Sequence, residues 1–314
     1  MVTIDMLMGI ITSLEYFLGI LINTFIAAVI SQDMAKTHHL TSCEAIALII
    51  AMSRASLLSA DLTYLLYLLF RPETKVPQWL SDMVTFFSMF LSFYSYWLTA
   101  LLYVYYCVTI ANFRQLLFSL LKAKVPQWMP RLILGSSVVS LLYAVPSPWI
   151  FHELYSHNST TEYTGNFRSE DFEIKTKFLW PVFYYTLGYS PPFLIFCVSA
   201  ILRIASLFRH TRRMLRSASD ISPPHMDAHY RAVKTVLAFS LLFALYYAAC
   251  LCERMSPLFP PETWGLVHPV ITQWYPVVHS AILIRSCPKL NKAAVRTLGQ
   301  AKCWKKRISI QEQM

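Results

Sequence analysis

Two charged side chains stand inside an otherwise apolar stretch of the chain. Arg54 and Asp61 both lie within residues 45–70, a segment rich in Leu, Ile, Ala and Tyr. Inside a membrane, each charge costs at least a few kcal/mol unless it faces a polar interior or a partner. The two residues are two turns apart on one helix face, about 10 Å along the axis. We therefore expect water, a backbone carbonyl or a polar group such as Asn23 to lie between them. The two charged residues form either a conformational switch or a structural clamp that holds the bundle together.

A stripe of hydroxyl side chains follows in the next apolar run. It comprises Thr85, Ser88, Ser92, Ser95 and Thr99. Spacings of three and four residues place these hydroxyls on one helical face, which we expect to look inward. The stripe indicates either close helix packing or the wall of a cavity. Tyr246 and Cys250 on a later run form a matching polar face, and Tyr184 and Tyr185 could add aromatic walls, which favours an outer cavity.

Catalytic and metal-binding patterns are missing from the sequence. We find no nucleophile elbow, no His-Glu-x-x-His, no P-loop and no dinucleotide fingerprint. His225 and His229 are one turn apart but have no third ligand nearby in the sequence. We therefore predict no cofactor, no metal and no enzymatic activity.

Seven apolar runs must position these side chains. Of the 314 residues, 56% are hydrophobic and 14% charged, and the mean hydropathy is +0.45, which excludes an ordinary soluble enzyme. The runs long enough to cross a bilayer as helices cover residues 7–30, 45–70, 80–110, 132–151, 178–207, 233–252 and 267–284. We predict one all-α domain over residues 1–314, a seven-transmembrane helix bundle with a short basic tail at 285–314. The first run is expected to remain as a helix.

The charge distribution predicts the orientation of this bundle. Lys and Arg concentrate in the segments 114–131, 203–234 and 285–307, whereas the segment 152–177 carries five acidic residues and three basic ones. Basic loops stay in the cytoplasm, so the N-terminus is predicted outside and the C-terminus inside. Asn158 opens an Asn-Ser-Thr sequon in a loop that this topology places outside, and we predict N-glycosylation there. The net charge of +10 thus reports orientation, and no nucleic-acid binding is expected.

The landmarks of the rhodopsin-like receptors are absent, yet an ordered set of segments resembles the type 2 (bitter) taste receptors. Tyr106-Cys107-Val108 stands where rhodopsin-like receptors have an acidic-Arg-Tyr triplet, and the segment 152–177 has no Cys for their outer disulfide. The segments that resemble the bitter receptors are Ser53-Arg54, Trp97-Leu98, Ile110 to Phe113, Leu116 to Lys122, Trp128 to Pro130, Pro192-Phe193, Ser206 to His210, Ala228-His229, Ala232 to Lys234, Pro276, His279-Ser280 and Pro288 to Leu290. Thr109 and Arg203 depart from the family pattern, and Tyr246 keeps a tyrosine of the family's pocket.

The resemblance implies a G-protein-coupled receptor of the plasma membrane in chemosensory cells. We expect a small organic bitter agonist between runs three, five, six and seven, and coupling to a gustducin-type heterotrimeric G protein. The agonist-binding candidates are Ser88, Ser92, Tyr184, Tyr185 and Tyr246. The G-protein-coupling candidates are Leu121, Lys122, His210, Arg213 and Lys234, although plain topology also accounts for such charges. The intramembrane switch or clamp candidates are Asn23, Arg54, Asp61, His279 and Ser280.

Two other classes of protein are alternatives to the receptor. A small multispan transporter or channel would need charged or backbone-lined sites near the midplane, for which we identify only Arg54 and Asp61 in the sequence. A membrane enzyme lacks a catalytic set. Contact with membrane lipid is expected, and homo- or hetero-oligomerisation is left open.

Overall fold

A computed structural model of the protein describes residues 2–71, 76–110, 116–156, 170–217, 223–254 and 261–311. Within these ranges the chain forms helices and short connections and no strand. The helices are α1 (Val2–Thr37), α2 (Ser42–Phe70), α3 (Gln78–Ile110), α4 (Leu116–Ala144), α5 (Ser147–Ser156), α6 (Glu170–Ser217), α7 (Pro223–Arg254), α8 (Pro261–Ser286) and α9 (Pro288–Gln311).

Six stretches of these helices are long and apolar enough to cross a membrane. They are Leu7–Thr37, Ser42–Phe70, Gln78–Thr109, Ala123–Ile150, Val182–Arg209 and Val233–Cys252. This confirms the expected class, an all-α membrane protein. The seventh predicted run, 267–284, is helical within α8 but is not among the six, so its crossing stays a prediction.

Helix lengths differ from the predicted runs in three places. α6 has 48 residues and is about 72 Å long, against about 30 Å for a bilayer core, so it extends well beyond the span Val182–Arg209. The run 132–151 is divided by a turn at Val145 and Pro146, which separates α4 from α5. The basic tail forms a further helix, α9.

The connection between α1 and α2 is defined by a local hydrogen-bonding motif. The Thr41 hydroxyl accepts a bond from the Glu44 amide at 3.3 Å, and the Thr41 amide donates to the Glu44 carboxylate at 3.0 Å. This capping box satisfies otherwise unpaired donors at the start of α2. α1 and α2 are thereby joined by a short turn and lie antiparallel.

The helices close into a bundle around α3. α3 packs against α2, α4, α5 and α6, while α8 packs against α1, α7 and α9. A column of aromatic rings fills the contact between α3, α6 and α7. Its ring pairs are Phe93–Tyr189 at 4.5 Å, Tyr96–Phe243 at 4.4 Å, Tyr103–Phe196 at 4.3 Å and Phe196–Phe243 at 4.2 Å. These buried rings set the spacing between the three helices.

Gly188 lets α6 approach α3 and α4 closely, which yields a stability prediction. A Cβ atom at position 188 would lie 2.7 Å from a ring carbon of Phe93 and 3.1 Å from one of Tyr143. Gly188→Ala should lower the thermal unfolding midpoint of the purified protein, because overpacking costs about 1–3 kcal/mol. Gly135→Ala is the control, since no atom lies within 4 Å of its Cβ position and alanine favours helix. Equal midpoints for the two variants would contradict the close approach.

Candidate functional site

Arg54 is the most fully buried charged side chain of the described core, at 1% exposure. Its guanidinium donates to Ser95 Oγ at 2.9 Å and Thr99 Oγ1 at 3.2 Å, both on α3. On α8 it bonds His279 Nδ1 at 2.8 Å and the Tyr275 hydroxyl at 3.3 Å. A single side chain of α2 thus holds α3 and α8 together.

The partners of Arg54 supply acceptors and a ring face but no carboxylate. Because a guanidinium can only donate, His279 Nδ1 must accept, which places the ring proton on Nε2. The guanidinium carbon of Arg54 lies over the Tyr275 ring, 5.1 Å from the ring centroid, which adds a cation–π contact. Arg54 therefore keeps its positive charge in the bundle, and its direct contacts among the described residues are with neutral groups.

Asn23 and Ser280 form a separate contact between α1 and α8. Both side chains are fully buried, and the Ser280 hydroxyl donates to Asn23 Oδ1 at 2.8 Å. The Asn23 amide nitrogen donates to the Gly19 carbonyl at 2.8 Å. Asn23 therefore ties α1 to α8, and these hydrogen bonds reach neither Arg54 nor Asp61.

Asp61 contacts a different part of the hydroxyl stripe from Arg54. Ser88 donates to Asp61 Oδ1 at 2.6 Å and so joins α3 to α2. The stripe on α3 is therefore divided between the two charged residues of α2. Ser95 and Thr99 serve Arg54, and Ser88 serves Asp61.

Between these two contacts lies a polar pair with an aromatic floor. The Ser92 and Tyr246 hydroxyls are 3.3 Å apart, which joins α3 to α7. The Tyr246 ring stacks on Tyr275 at a centroid distance of 4.0 Å, and Tyr275 in turn bonds Arg54. The structure thus brings three of the five agonist-binding candidates, Ser88, Ser92 and Tyr246, to one side of the Arg54 network.

The other two agonist-binding candidates lie elsewhere. The Tyr184 hydroxyl donates to the Tyr143 carbonyl of α4 at 2.5 Å, and its ring packs beside Tyr143. Tyr185 is 1% exposed and lies parallel to Phe93 at 6.4 Å. These contacts of the two tyrosines belong to the interface between α3, α4 and α6.

The G-protein-coupling candidates are only partly described. Lys234 is exposed on α7. The side chains of Leu121, Lys122, His210 and Arg213, and the whole of Asn158, lie outside the described residues.

At the predicted cytoplasmic end, Lys289 clasps α1 and α2 to the start of α9. Its ammonium is 2.6 Å from Asp33 and 2.6 Å from Glu44. Hydrogen bonds to Asp33 and then Glu44 raise the pKa of Lys289, so the clasp stays charged at neutral pH. A cavity beside it is lined by residues that include Cys43, Tyr106 and Cys287.

Arg203 occupies an unusual position near the same end of α6. Its guanidinium carbon lies 5.3 Å from the Tyr106 ring centroid and 5.9 Å from that of Tyr103, both on α3. Its Nε atom is buried without a hydrogen-bond partner. The departure from the family pattern noted in the sequence therefore forms a cation–π contact between α6 and α3.

Sequence reasoning missed Tyr275 and Glu15. Tyr275 stands one turn before His279 on α8, so its link to Arg54 depends on the packing of α8 against α2. Glu15 is a carboxylate within the apolar run 7–30 and is only 4% exposed. Its position could have identified Glu15 as a candidate functional residue from the sequence, because ionisable residues inside membrane spans are costly and tend to be functional.

The fold and this buried polar network define a multi-pass helical membrane protein, and comparison with known proteins identifies its family. The family model for taste receptor protein (TAS2R) matches residues 1–302. Human taste receptor type 2 member 3 is 31% identical over 293 residues, covering 91% of this chain and 90% of the relative. Human taste receptor type 2 member 9 is 30% identical over 295 residues, covering 93% of each. Member 40 of Gallus gallus is 29% identical over 284 residues, covering 90% of this chain and 91% of the relative.

The chain belongs to the taste receptor type 2 family. This membership confirms the resemblance found in the sequence. The family consists of G-protein-coupled receptors and not of enzymes, which agrees with the receptor class expected from the sequence.

Arg54→Lys tests the role of the guanidinium as a clamp. Lysine keeps the charge, but its single ammonium cannot reach acceptors on both α3 and α8 as the fork does. Each buried partner left without its bond costs about 1–3 kcal/mol, so the thermal unfolding midpoint should fall markedly. Arg212→Lys, at an exposed position on α6, is the matched control. A midpoint for Arg54→Lys equal to that of the control would show that the network does not hold the bundle.

Proposed function

We propose that this protein is a bitter taste receptor that binds small organic agonists within the bundle and activates a gustducin-type heterotrimeric G protein. The proposal includes seven crossings, with α8 as the seventh, an outside N-terminus and a cytoplasmic C-terminus. Membership of the taste receptor family supports the receptor class. The distribution of basic residues supports the orientation.

The observation that carries the proposal is the contact series Ser92–Tyr246–Tyr275–Arg54. Ser92 and Tyr246 face each other at 3.3 Å, a long distance for two hydroxyls, so a polar ligand group could replace this contact at little cost. Tyr246 stacks on Tyr275, whose hydroxyl accepts from Arg54. A ligand that moves Tyr246 would therefore alter the partners of the residue that ties α2, α3 and α8 together.

The agonist acts by its differential affinity for two arrangements of the helices. We place the binding site at Ser88, Ser92 and Tyr246, with Tyr275 as its floor. Tyr184 and Tyr185 on α6 remain candidate agonist-binding residues. They would contact a ligand that reaches the interface between α3 and α6. The G protein would bind on the cytoplasmic side, where a basic surface accelerates its association with the receptor. The residues proposed for this contact are Leu121, Lys122, His210, Arg213 and Lys234.

Calcium release tests the receptor function and the site together. Cells that co-express the chain with a gustducin-like G-protein chimera are challenged with a panel of bitter compounds. For an active compound, Tyr246→Ala should raise the half-maximal concentration at least about tenfold, the equivalent of about 1.4 kcal/mol of lost binding. The control Tyr94→Ala removes a tyrosine of α3 that stacks on Phe90 of its own helix and should shift it little.

Two results would count against the proposal at confirmed surface expression. A response that does not require the chimera would contradict G-protein coupling. Equal shifts for Tyr246→Ala and Tyr94→Ala would contradict the position of the site.

A further inference from the structure

A buried carboxylate of α1 has no role in the site described above. Glu15 is 4% exposed, and both of its carboxylate oxygens are buried without a hydrogen bond of normal distance and angle. The indole of Trp274 on α8 lies alongside it. Burying an ionisable group in a membrane span is costly, so such a group without a structural partner indicates a missing interaction.

The packing of α1, α2 and α8 places Glu15 at the same level as Asp61. Gly19 of α1 touches both Leu58 of α2 and Val277 of α8, since a Cβ there would meet their side chains at 2.5 and 3.3 Å. α8 runs parallel to α1, because Val277 lies against Gly19 and Ser280 against Asn23, and α2 runs antiparallel to both.

One helical turn from Gly19 toward the predicted outer end, the three helices each present a side chain at the same depth in the bundle. That turn, about 5 Å, reaches Glu15 on α1, Asp61 on α2 and Trp274 on α8. Tyr16 lies within electrostatic range of both carboxylates, which agrees with this placement. Two carboxylates therefore occupy one level of the outer half of the bundle.

The charges at this level are not balanced by the described residues around them. Asp61 is bonded by the neutral hydroxyl of Ser88, and Glu15, which has no hydrogen bond of normal distance and angle, has the neutral Trp274 indole beside it. Arg54 lies about 10 Å away along α2 and spends its hydrogen bonds on α3 and α8. No described cation contacts either carboxyl group, so an ammonium group bound at this level would supply the counter-charge that both lack.

We propose that Glu15 and Asp61 select agonists that carry a positively charged amine. Carboxylates attract an organic cation through its charge, and Tyr16 and Trp274 beside them are aromatic side chains of the kind that bind such cations. The subsite is continuous with the proposed agonist site, because Ser88 bonds Asp61 and stands one turn from Ser92. The inference rests on the proposed function only for its signalling consequence, since binding itself needs no G protein.

Thermal unfolding of the purified full-length protein tests the subsite directly. The probes are benzyltrimethylammonium chloride and its uncharged isostere neopentylbenzene, which share shape and differ in charge. Benzyltrimethylammonium should raise the unfolding midpoint in a concentration-dependent manner, and neopentylbenzene should not. Glu15→Gln and Asp61→Asn should each raise the concentration needed at least tenfold, and the double variant should abolish the effect.

Three further samples make the result decisive. Asp82→Asn, at the exposed start of α3, removes a carboxylate outside the subsite and should bind the cation as the wild type does. Asp61→Glu keeps the charge and should retain most of the effect, which guards against a folding defect in Asp61→Asn. Sodium chloride at the same concentration is the arm for a bare inorganic cation.

The outcomes separate this inference from the receptor proposal. Equal stabilisation by the two organic probes, no stabilisation by the cation, or a response unchanged in the double variant would overturn the subsite. An equally large effect of sodium, lost in the same variants, would assign the site to an inorganic ion and overturn the amine class. Cation binding by a protein whose response to bitter compounds in cells does not require the chimera would contradict the receptor proposal and leave the subsite standing.

Discussion

The burial of the Arg54 charge is the constraint on which the rest of the bundle depends. A guanidinium in a membrane interior needs several acceptors at once, and this chain provides them from two other helices. To reach Arg54, α3 must present Ser95 and Thr99, and α8 must present Tyr275 and His279. The rotation and depth of both helices are therefore fixed by one side chain of α2.

The same constraint connects the predicted outer and cytoplasmic halves. On the outer side of Arg54 lie Tyr246, Ser92 and the two acidic residues, whereas the aromatic contacts of Arg203 and the Lys289 clasp lie toward the other end. Tyr275 belongs to both halves, because its ring stacks on Tyr246 and its hydroxyl bonds Arg54. A change at the outer site can therefore reach the centre of the bundle through a single stacked pair.

The sequence predicts the membrane class and the position of the costly charge, and it includes His279 in the same group of candidates, but it does not predict which side chains bond Arg54. Long apolar runs, the uneven distribution of Lys and Arg among the loops, and the polar helix face that contains Ser95 and Thr99 can all be read from residues close together in the sequence. The contacts of Arg54 with Tyr275 and His279 join residues more than 220 positions apart, and helical periodicity carries no information about such pairings. Tyr184 illustrates the same limit, since its helix face is readable from the sequence but the neighbour on that face, α4, is not. Glu15, by contrast, was visible as a carboxylate within an apolar run.

Nucleotide exchange on a gustducin-type heterotrimer tests the central claim, that Tyr275 transmits agonist binding to the Arg54 network. Purified wild-type receptor and Tyr275→Phe would be compared in lipid nanodiscs, with and without an agonist active in the calcium assay. The variant keeps the ring that stacks on Tyr246 and removes the hydroxyl that bonds Arg54. We expect agonist-stimulated exchange with the wild type, and retained agonist binding with strongly reduced stimulation for Tyr275→Phe. Full stimulation by the variant, or no exchange by the wild type, would contradict the account.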